Sequence, residues 1–291
     1  MNVELLHVTP RGEELVEWAG RVCYRSHHRM TGDPSKFIQG IVARGHESVI
    51  EHWRALFSIE ATEGELLDLL FSAPLLRFNR RGRDFLLSGN ARMFRQAKGP
   101  LADALKKFLK EASPLLFDES QPSLPNSAEP PAGGIVNEWN YFLPPGLSRE
   151  ETLFHGAATF YFKGVSRALT HQLVRHRMAS YSQASQRYCN EENFEVIVPP
   201  PVREKGAQAL FSRAIEGIRE NYRDLKESGL KAEDARYLLP NAAASEIAVS
   251  MTFEHWANFL ALRCDSHAQW EIRDVAHLVK GLLHERLPQS F

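Results

Sequence analysis

Several stretches of the chain repeat apolar residues at helical spacing. Residues 13–20 (EELVEWAG) predict a short helix. Residues 101–112 set Leu101, Leu105, Phe108 and Leu109 on one side and Lys106, Lys107 and Lys110 on the other, the pattern of a surface helix. Residues 203–227 gather Leu210, Phe211, Ala214, Ile215, Ile218, Tyr222 and Leu225 on one face, and Gly229 supplies the stop. Residues 165–176 predict another helix, as do 231–239 (ending at Pro240), 253–263 and 267–287. Ser266 and Gln269 form an S-x-x-Q capping-box pattern before the last of these. Strands are predicted at 55–61, at the aromatic run 159–162, and at 194–198 (FEVIV), which Pro199–Pro201 close. Strands and helices do not alternate as repeated βαβ units, so the fold class is α+β.

One stretch interrupts the pattern. Residues 114–145 hold Pro114, Pro122, Pro125, Pro130, Pro131, Pro144 and Pro145, with Gly133–Gly134 among them. Proline fixes φ and removes a donor, so this segment predicts an irregular insert or linker. It does not divide the chain into two self-sufficient halves.

The 291 residues suffice for a sizeable core without staples. Lys and Arg total 35 against 36 Asp and Glu, a net charge of −1, which argues against a globally basic nucleic-acid binder. At 43% hydrophobic and 24% charged, the composition argues against wholesale disorder. No run approaches the length of a transmembrane span, and the opening residues lack the basic-then-apolar order of a secretory signal. Cys23, Cys189 and Cys264 are odd in number and never spaced C-x-x-C, so neither a disulfide framework nor a zinc knuckle is expected, and a reducing cytoplasm fits.

The chemistry concentrates in 175–188, RHRMASYSQASQRY. Arg175, Arg177 and Arg187 offer planar forks suited to phosphate. Extended geometry at the end of the segment would point Gln183, Ser185 and Arg187 to one side. Upstream, Gln172 and Arg175 are i, i+3 neighbours on the predicted helix. Arginine-rich runs are commonly solvated surface. Here the arginines are interleaved with Ser, Gln and Tyr rather than Lys and Glu, which suits a ligand cradle better.

Arg175-His176-Arg177, seven residues, then Ser185 resembles the signature of the flavin-dependent thymidylate synthases. GHESVIEH at 45–52, DARYLLP at 234–240 and NFLALRCDSHAQWEI at 258–272 resemble further blocks of that family, in the family's order. The resemblance implies one α+β domain over 1–291, longer than compact members through an insertion at 62–158. It implies a homotetramer with active sites at subunit interfaces. It also implies FAD, with methylenetetrahydrofolate and NADPH as co-substrates, in the conversion of dUMP to dTMP. By similarity, dUMP would be held by Gln172, Arg175, Gln183, Ser185, Arg187, Arg236 and Arg263. FAD would meet His46, Ser48, Arg175, His176, Arg177, Gln183 and Asn258. Arg263 matches the arginine facing the uracil ring. An arginine hardly loses its proton, so its catalytic role would be to stabilise negative charge at N3 and O2 and polarise C5. The sequence departs from the family where Ser182 and Gln183 replace Asn and Glu. It departs again where Thr252 and Glu254 replace Asn and Arg in a flavin-contacting N-A-R run.

Cys189 and Cys264 sit beside Arg-containing segments, where a low-pKa thiol could arise, but a small buried cysteine is commoner. The family resemblance implies flavin chemistry with no enzyme nucleophile. The His46, Glu47, Glu51, His52 group lacks H-E-x-x-H spacing, so no metal site is expected. His267, His277 and His284 read as core or interface packing groups, with His267 also able to approach the flavin. Arg77, Arg80, Arg81, Arg83, Arg92 and Arg95, mixed with Phe78, Phe85 and Phe94, fit a solvated surface, a folate or NADPH grip, a subunit contact or single-stranded nucleic acid. No G-x-G-x-x-G or Walker motif is present, so NADPH would bind transiently at the flavin. The alternatives are a non-enzymatic nucleotide or nucleic-acid module, and a flavin enzyme acting on another pyrimidine.

Overall fold

The computed structural model describes residues 2–117 and 134–291. The first stretch runs β1 (Asn2–Val8), α1 (Gly12–Val22), α2 (Ser35–Ala43), β2 (Arg54–Glu60), α3 (Glu63–Ser72), β3 (Arg77–Arg81), β4 (Asp84–Asn90), α4 (Ala91–Gln96), α5 (Pro100–Ala112) and α6 (Pro114–Phe117). The second runs β5 (Val136–Phe142), α7 (Arg149–His155), β6 (Ala157–Ser166), α8 (Arg167–Leu173), β7 (Ala179–Gln183), α9 (Pro200–Glu204), α10 (Gln208–Glu227), α11 (Ala232–Ala235), β8 (Ala244–Thr252), α12 (Phe253–Arg263) and α13 (Trp270–Arg286). The strands form two antiparallel sheets, ordered β1-β2-β4-β3 and β5-β6-β8-β7. The expected α+β class therefore holds.

Period-two alternation explains how the sheets are used. Ala55, Phe57 and Ile59 of β2 enter the first core with Leu66, Leu69 and Leu105. Leu56, on the opposite face of β2, meets Leu86, Phe142 and Ala157, which joins the two sheets. In β6, Ala158, Phe160 and Phe162 pack on Trp256 and Phe259 of α12 and on α13. Tyr161 faces the other way, edge-on to Trp18 of α1. A central strand covered on both faces is largely apolar on both, which is why 157–162 shows no clean alternation; its one polar residue, Thr159, is buried and bonded to Ser250 Oγ at 2.6 Å.

Three expectations change. The irregular insert expected at 114–145 contains α6 at its start and β5 near its end, where β5 edges the second sheet. Pro122, Pro125, Pro130, Pro131 and Gly133 lie outside the described residues. The strand expected at 194–198 reduces to one bridge, Val196 with Ala243. In α10 the predicted apolar face is only partly covered: Ile215 and Tyr222 are buried, and Leu210 is exposed.

The elements that aim the 175–188 segment are tied by hydrogen bonds. Ser166 ends β6 and caps α8 by accepting from the Leu169 amide over 3.0 Å. Its own amide donates to Glu271 of α13 over 2.7 Å, and its hydroxyl donates to the same carboxylate. Gln269 itself caps α13, accepting from the Glu271 and Ile272 amides, in place of the capping box expected from Ser266. At the far end of α8, the Tyr181 hydroxyl reaches the Leu173 and His176 carbonyls, each at 2.7 Å. This satisfies helix-end acceptors and holds the turn that carries Arg175–Arg177.

Candidate functional site

Arg175, His176, Arg177, Asn258 and Arg263 line one open cavity of about 220 Å³, together with Met178, Met251, His255 and Leu262. Three come from the turn after α8 and two from α12. On α12 the inward residues Phe253, Trp256, Phe259 and Leu260 anchor the helix on the core. His255, Asn258 and Leu262 then share the opposite stripe at i, i+3 and i+7, which brings them to the cavity. No carboxylate lines it, whereas three guanidinium groups do. Arg175 and Arg177 are exposed and have no ion-pair partner among the described residues. Such a donor set suits an anion: a phosphate or a ring oxygen that gathers charge.

Arg263 is held in place. Its Nε donates to His176 Nε2 over 3.1 Å and its Nη2 to the Gln172 carbonyl over 3.4 Å. A guanidinium only donates, so His176 accepts at Nε2 and carries its proton on Nδ1. Burial, and then the charge of Arg263, push His176 down to about 4, so it is neutral near pH 7. Its ring stands edge-on to Phe259.

The other expected site residues lie elsewhere on the chain. Gln183 ends β7 and donates to Thr170 Oγ1 (2.9 Å) and Ser245 Oγ (3.2 Å). The strand stops there. Ser185 and Arg187 lie in a turn closed by the Cys189 amide on the Ser185 carbonyl, and Ser185 Oγ accepts from the Arg187 amide. Gln183, Ser185 and Arg187 therefore do not project from one extended face, contrary to expectation. A short side chain that bonds its own backbone two residues on competes with strand geometry, which explains the difference. Arg187 Nε instead pairs with Glu233 Oε2 at 2.6 Å, and Arg236 Nε donates to the Glu233 carbonyl at 3.1 Å, so these two arginines meet at α11. His46 and Ser48 are exposed before the short turn Val49–His52. That turn is fixed to the second sheet: His52 is buried and bonds Ser250 Oγ (2.7 Å) and Ser182 Oγ (3.0 Å), and Glu51 accepts from Ser180. Within one chain the expected residues thus fall into separate groups.

Reasoning from sequence missed His255, Met251 and Met178. The stripe His255–Asn258–Leu262 could have disclosed the first. The three histidines read as packing groups prove peripheral: His267 lies before α13, exposed against Asp265, and His277 and His284 are exposed on α13. Four of the six clustered arginines are neutralised, in the pairs Arg77–Glu254, Arg81–Glu151, Arg92–Glu51 and Arg95–Glu47. That weakens the nucleic-acid alternative, which needs free cations along a groove. Among the described residues no group of three or more His, Cys, Asp or Glu could hold a metal, and no helix is long and apolar enough to cross a membrane.

The family model "Thymidylate synthase complementing protein" matches residues 4–91 and 146–289. The chain belongs to the flavin-dependent thymidylate synthases. A relative of that name from Nitratidesulfovibrio vulgaris is 47% identical over 184 residues, covering 55% of this chain and 75% of the relative. One from Geobacter sulfurreducens is 46% identical over 144 residues (47% and 62%), and one from Clostridium tetani is 38% identical over 171 (52% and 69%). The family is one of methyltransferase enzymes, which identifies this member as an enzyme. The family model passes over 92–145, a stretch that holds α4, α5, α6 and β5.

Proposed function

We propose that the protein converts dUMP to dTMP by reductive methylation, with FAD bound, methylenetetrahydrofolate as one-carbon donor and NADPH as reductant. The observation that carries this reading is the carboxylate-free cavity in which Arg175, His176, Arg177, Asn258 and Arg263 converge. Its cationic donors fit the anionic parts of a flavin nucleotide and of a nucleoside monophosphate. In this reading Arg175, His176, Arg177 and Asn258 hold the flavin, with His46, Ser48 and Gln183 contributed from elsewhere. Gln172, Arg175, Gln183, Ser185, Arg187, Arg236 and Arg263 hold dUMP.

Those residues fall into separate groups within one chain, which favours a homotetramer in which neighbouring copies complete each other's sites. Bound flavin supplies the electron-accepting and electron-donating chemistry. Arg263 sets a permanent positive charge where the uracil ring gathers negative charge at N3 and O2, so that C5 becomes the better carbon to attack. His176, neutral and accepting at Nε2, fixes the direction of that guanidinium. Thr170 and Ser245 fix the amide of Gln183. Three free, scattered cysteines favour a cytoplasmic setting.

The test is an absorbance spectrum of the purified protein before and after NADPH with dUMP, and again after methylenetetrahydrofolate is added. A flavin band that bleaches with NADPH, and returns as dTMP forms, supports the reading. Colourless protein with salt-sensitive RNA binding would favour a nucleic-acid module. Comparing dUMP, UMP and dCMP separates thymidylate synthesis from action on another pyrimidine, because a site that bonds the imide edge rejects cytosine.

A further inference from the structure

A second histidine faces the same cavity, and its surroundings are unusual. His255 lies at the third position of α12 and lines the cavity beside Asn258. Thr252, the N-cap of α12, makes no side-chain bond to the helix amides. Its hydroxyl is diverted to His255 Nδ1, at 2.5 Å. An N-cap hydroxyl that forgoes its amide gives up helix stability. The same ring nitrogen faces Arg77 Nη1 from β3 at 3.3 Å, and that Nη1 is also 3.4 Å from Thr252 Oγ1.

Arg77 is itself restrained. It pairs with Glu254 and lies over the Phe154 ring, 3.8 Å from its centre. A guanidinium has five N–H donors and no acceptor, so a proton on Nδ1 would confront another N–H. Nδ1 must therefore accept, and the proton sits on Nε2. Nε2 has no partner among the described residues. Burial first, and then the charges of Arg77 and Arg54 set against Glu254, hold the ring below the usual histidine pKa, which keeps it a neutral donor.

We infer that His255 is a further ligand-binding residue of this cavity, donating from Nε2–H to an anionic oxygen of the bound flavin nucleotide, with Arg77 as the positioning residue that fixes its tautomer. The inference rests on the flavin reading above and adds to it a residue pair that links β3 of the first sheet to α12. It also gives the Arg77–Glu254 pair a purpose. Glu254 stands where the family resemblance places an arginine, and β3 brings a guanidinium to the same neighbourhood.

The test uses the full-length protein. Histidine nitrogen resonances of the unmutated protein should show His255 unprotonated at Nδ1 and protonated at Nε2. FAD titration followed by flavin fluorescence should show His255→Leu binding about tenfold more weakly, the worth of one good hydrogen bond. His255→Gln, which keeps a side-chain N–H donor, should stay within about threefold of the parent. Arg77→Met should mix the two tautomers without changing the circular dichroism, and Arg77→Lys should restore the parental form. Unchanged FAD affinity in His255→Leu, or a proton on Nδ1 in the parent, would overturn the inference and leave the flavin reading intact. A parent that binds no FAD at all would overturn both.

Discussion

Arg263 and His176 form a directed pair: the guanidinium Nε donates 3.1 Å to His176 Nε2, which leaves the histidine proton on the far nitrogen. The pair couples a group that never deprotonates to one that could. Arg263→Ala should retain the fold and the flavin but lose turnover about 100-fold or more, the scale of removing a preorganised charge from a reacting centre. The same variant should raise the His176 pKa, because Arg263 now depresses it. The rise should be partial, since burial is the larger cause. Steady-state kinetics and a histidine NMR titration check the two halves. Parental turnover would remove Arg263 from the mechanism.

Acid should weaken the fold through His52. The ring is 1% exposed, and burial pushes its pKa from 6.5 to about 4. Between those values the unfolded chain binds a proton that the folded chain refuses. Stability is therefore fully present above about pH 6.5 and falls as pH drops toward about 4, by an amount on the order of 3 kcal/mol from this group alone. Urea unfolding across that range measures the slope. His52→Asn should flatten it by about one proton and should also cost about 1–3 kcal/mol, because Ser182 and Ser250 lose a buried partner.

The thiols should be dispensable. Burial raises the pKa of Cys23, Cys189 and Cys264 alike, the opposite of what an attacking thiolate needs. Cys189→Ser and Cys264→Ser should each keep dTMP formation within about threefold. A folded but inactive variant would revive thiolate addition to the substrate.

Ser185→Ala should weaken dUMP binding while the chain still melts cooperatively near the parental temperature. The hydroxyl accepts from the Arg187 amide and shapes the turn that presents that arginine. Calorimetric titration with dUMP gives the readout, and parental affinity would remove this turn from the nucleotide site.

Much of the fold could be read from the residues themselves. Helix 253–263 matches α12, because Phe253, Trp256, Phe259 and Leu260 mark its inward stripe. β2 and β6 were visible through alternation and aromatic content. β8 was not: ASEIAVSMT scatters Ser245, Glu246, Ser250 and Thr252 among its apolar residues, and a strand covered on both faces shows no clean alternation. β5 hid inside a proline-rich stretch, and Gln269 displaced Ser266 as a cap because its longer side chain reaches two amides at once. For the site, Arg175, His176, Arg177 and Asn258 were expected with His46, Ser48 and Gln183, and Arg263 with the nucleotide residues; the first four and Arg263 line one cavity, and His46, Ser48 and Gln183 do not line it. The extended face of Gln183, Ser185 and Arg187 was misjudged because turn chemistry after Ala184 is set by contacts far along the chain, among them the Ser185 amide on the Cys23 carbonyl.

That last contact has a practical side. Cys189 Sγ also points to the Cys23 carbonyl, at 3.8 Å, so the Ser185–Cys189 turn is stitched to the end of α1 next to a 7% exposed thiol. A thiol reagent can reach that sulfur only when the stitch opens. The rate of alkylation at position 189 therefore offers a built-in gauge of how often this corner comes undone, and of how firmly a bound ligand holds it shut.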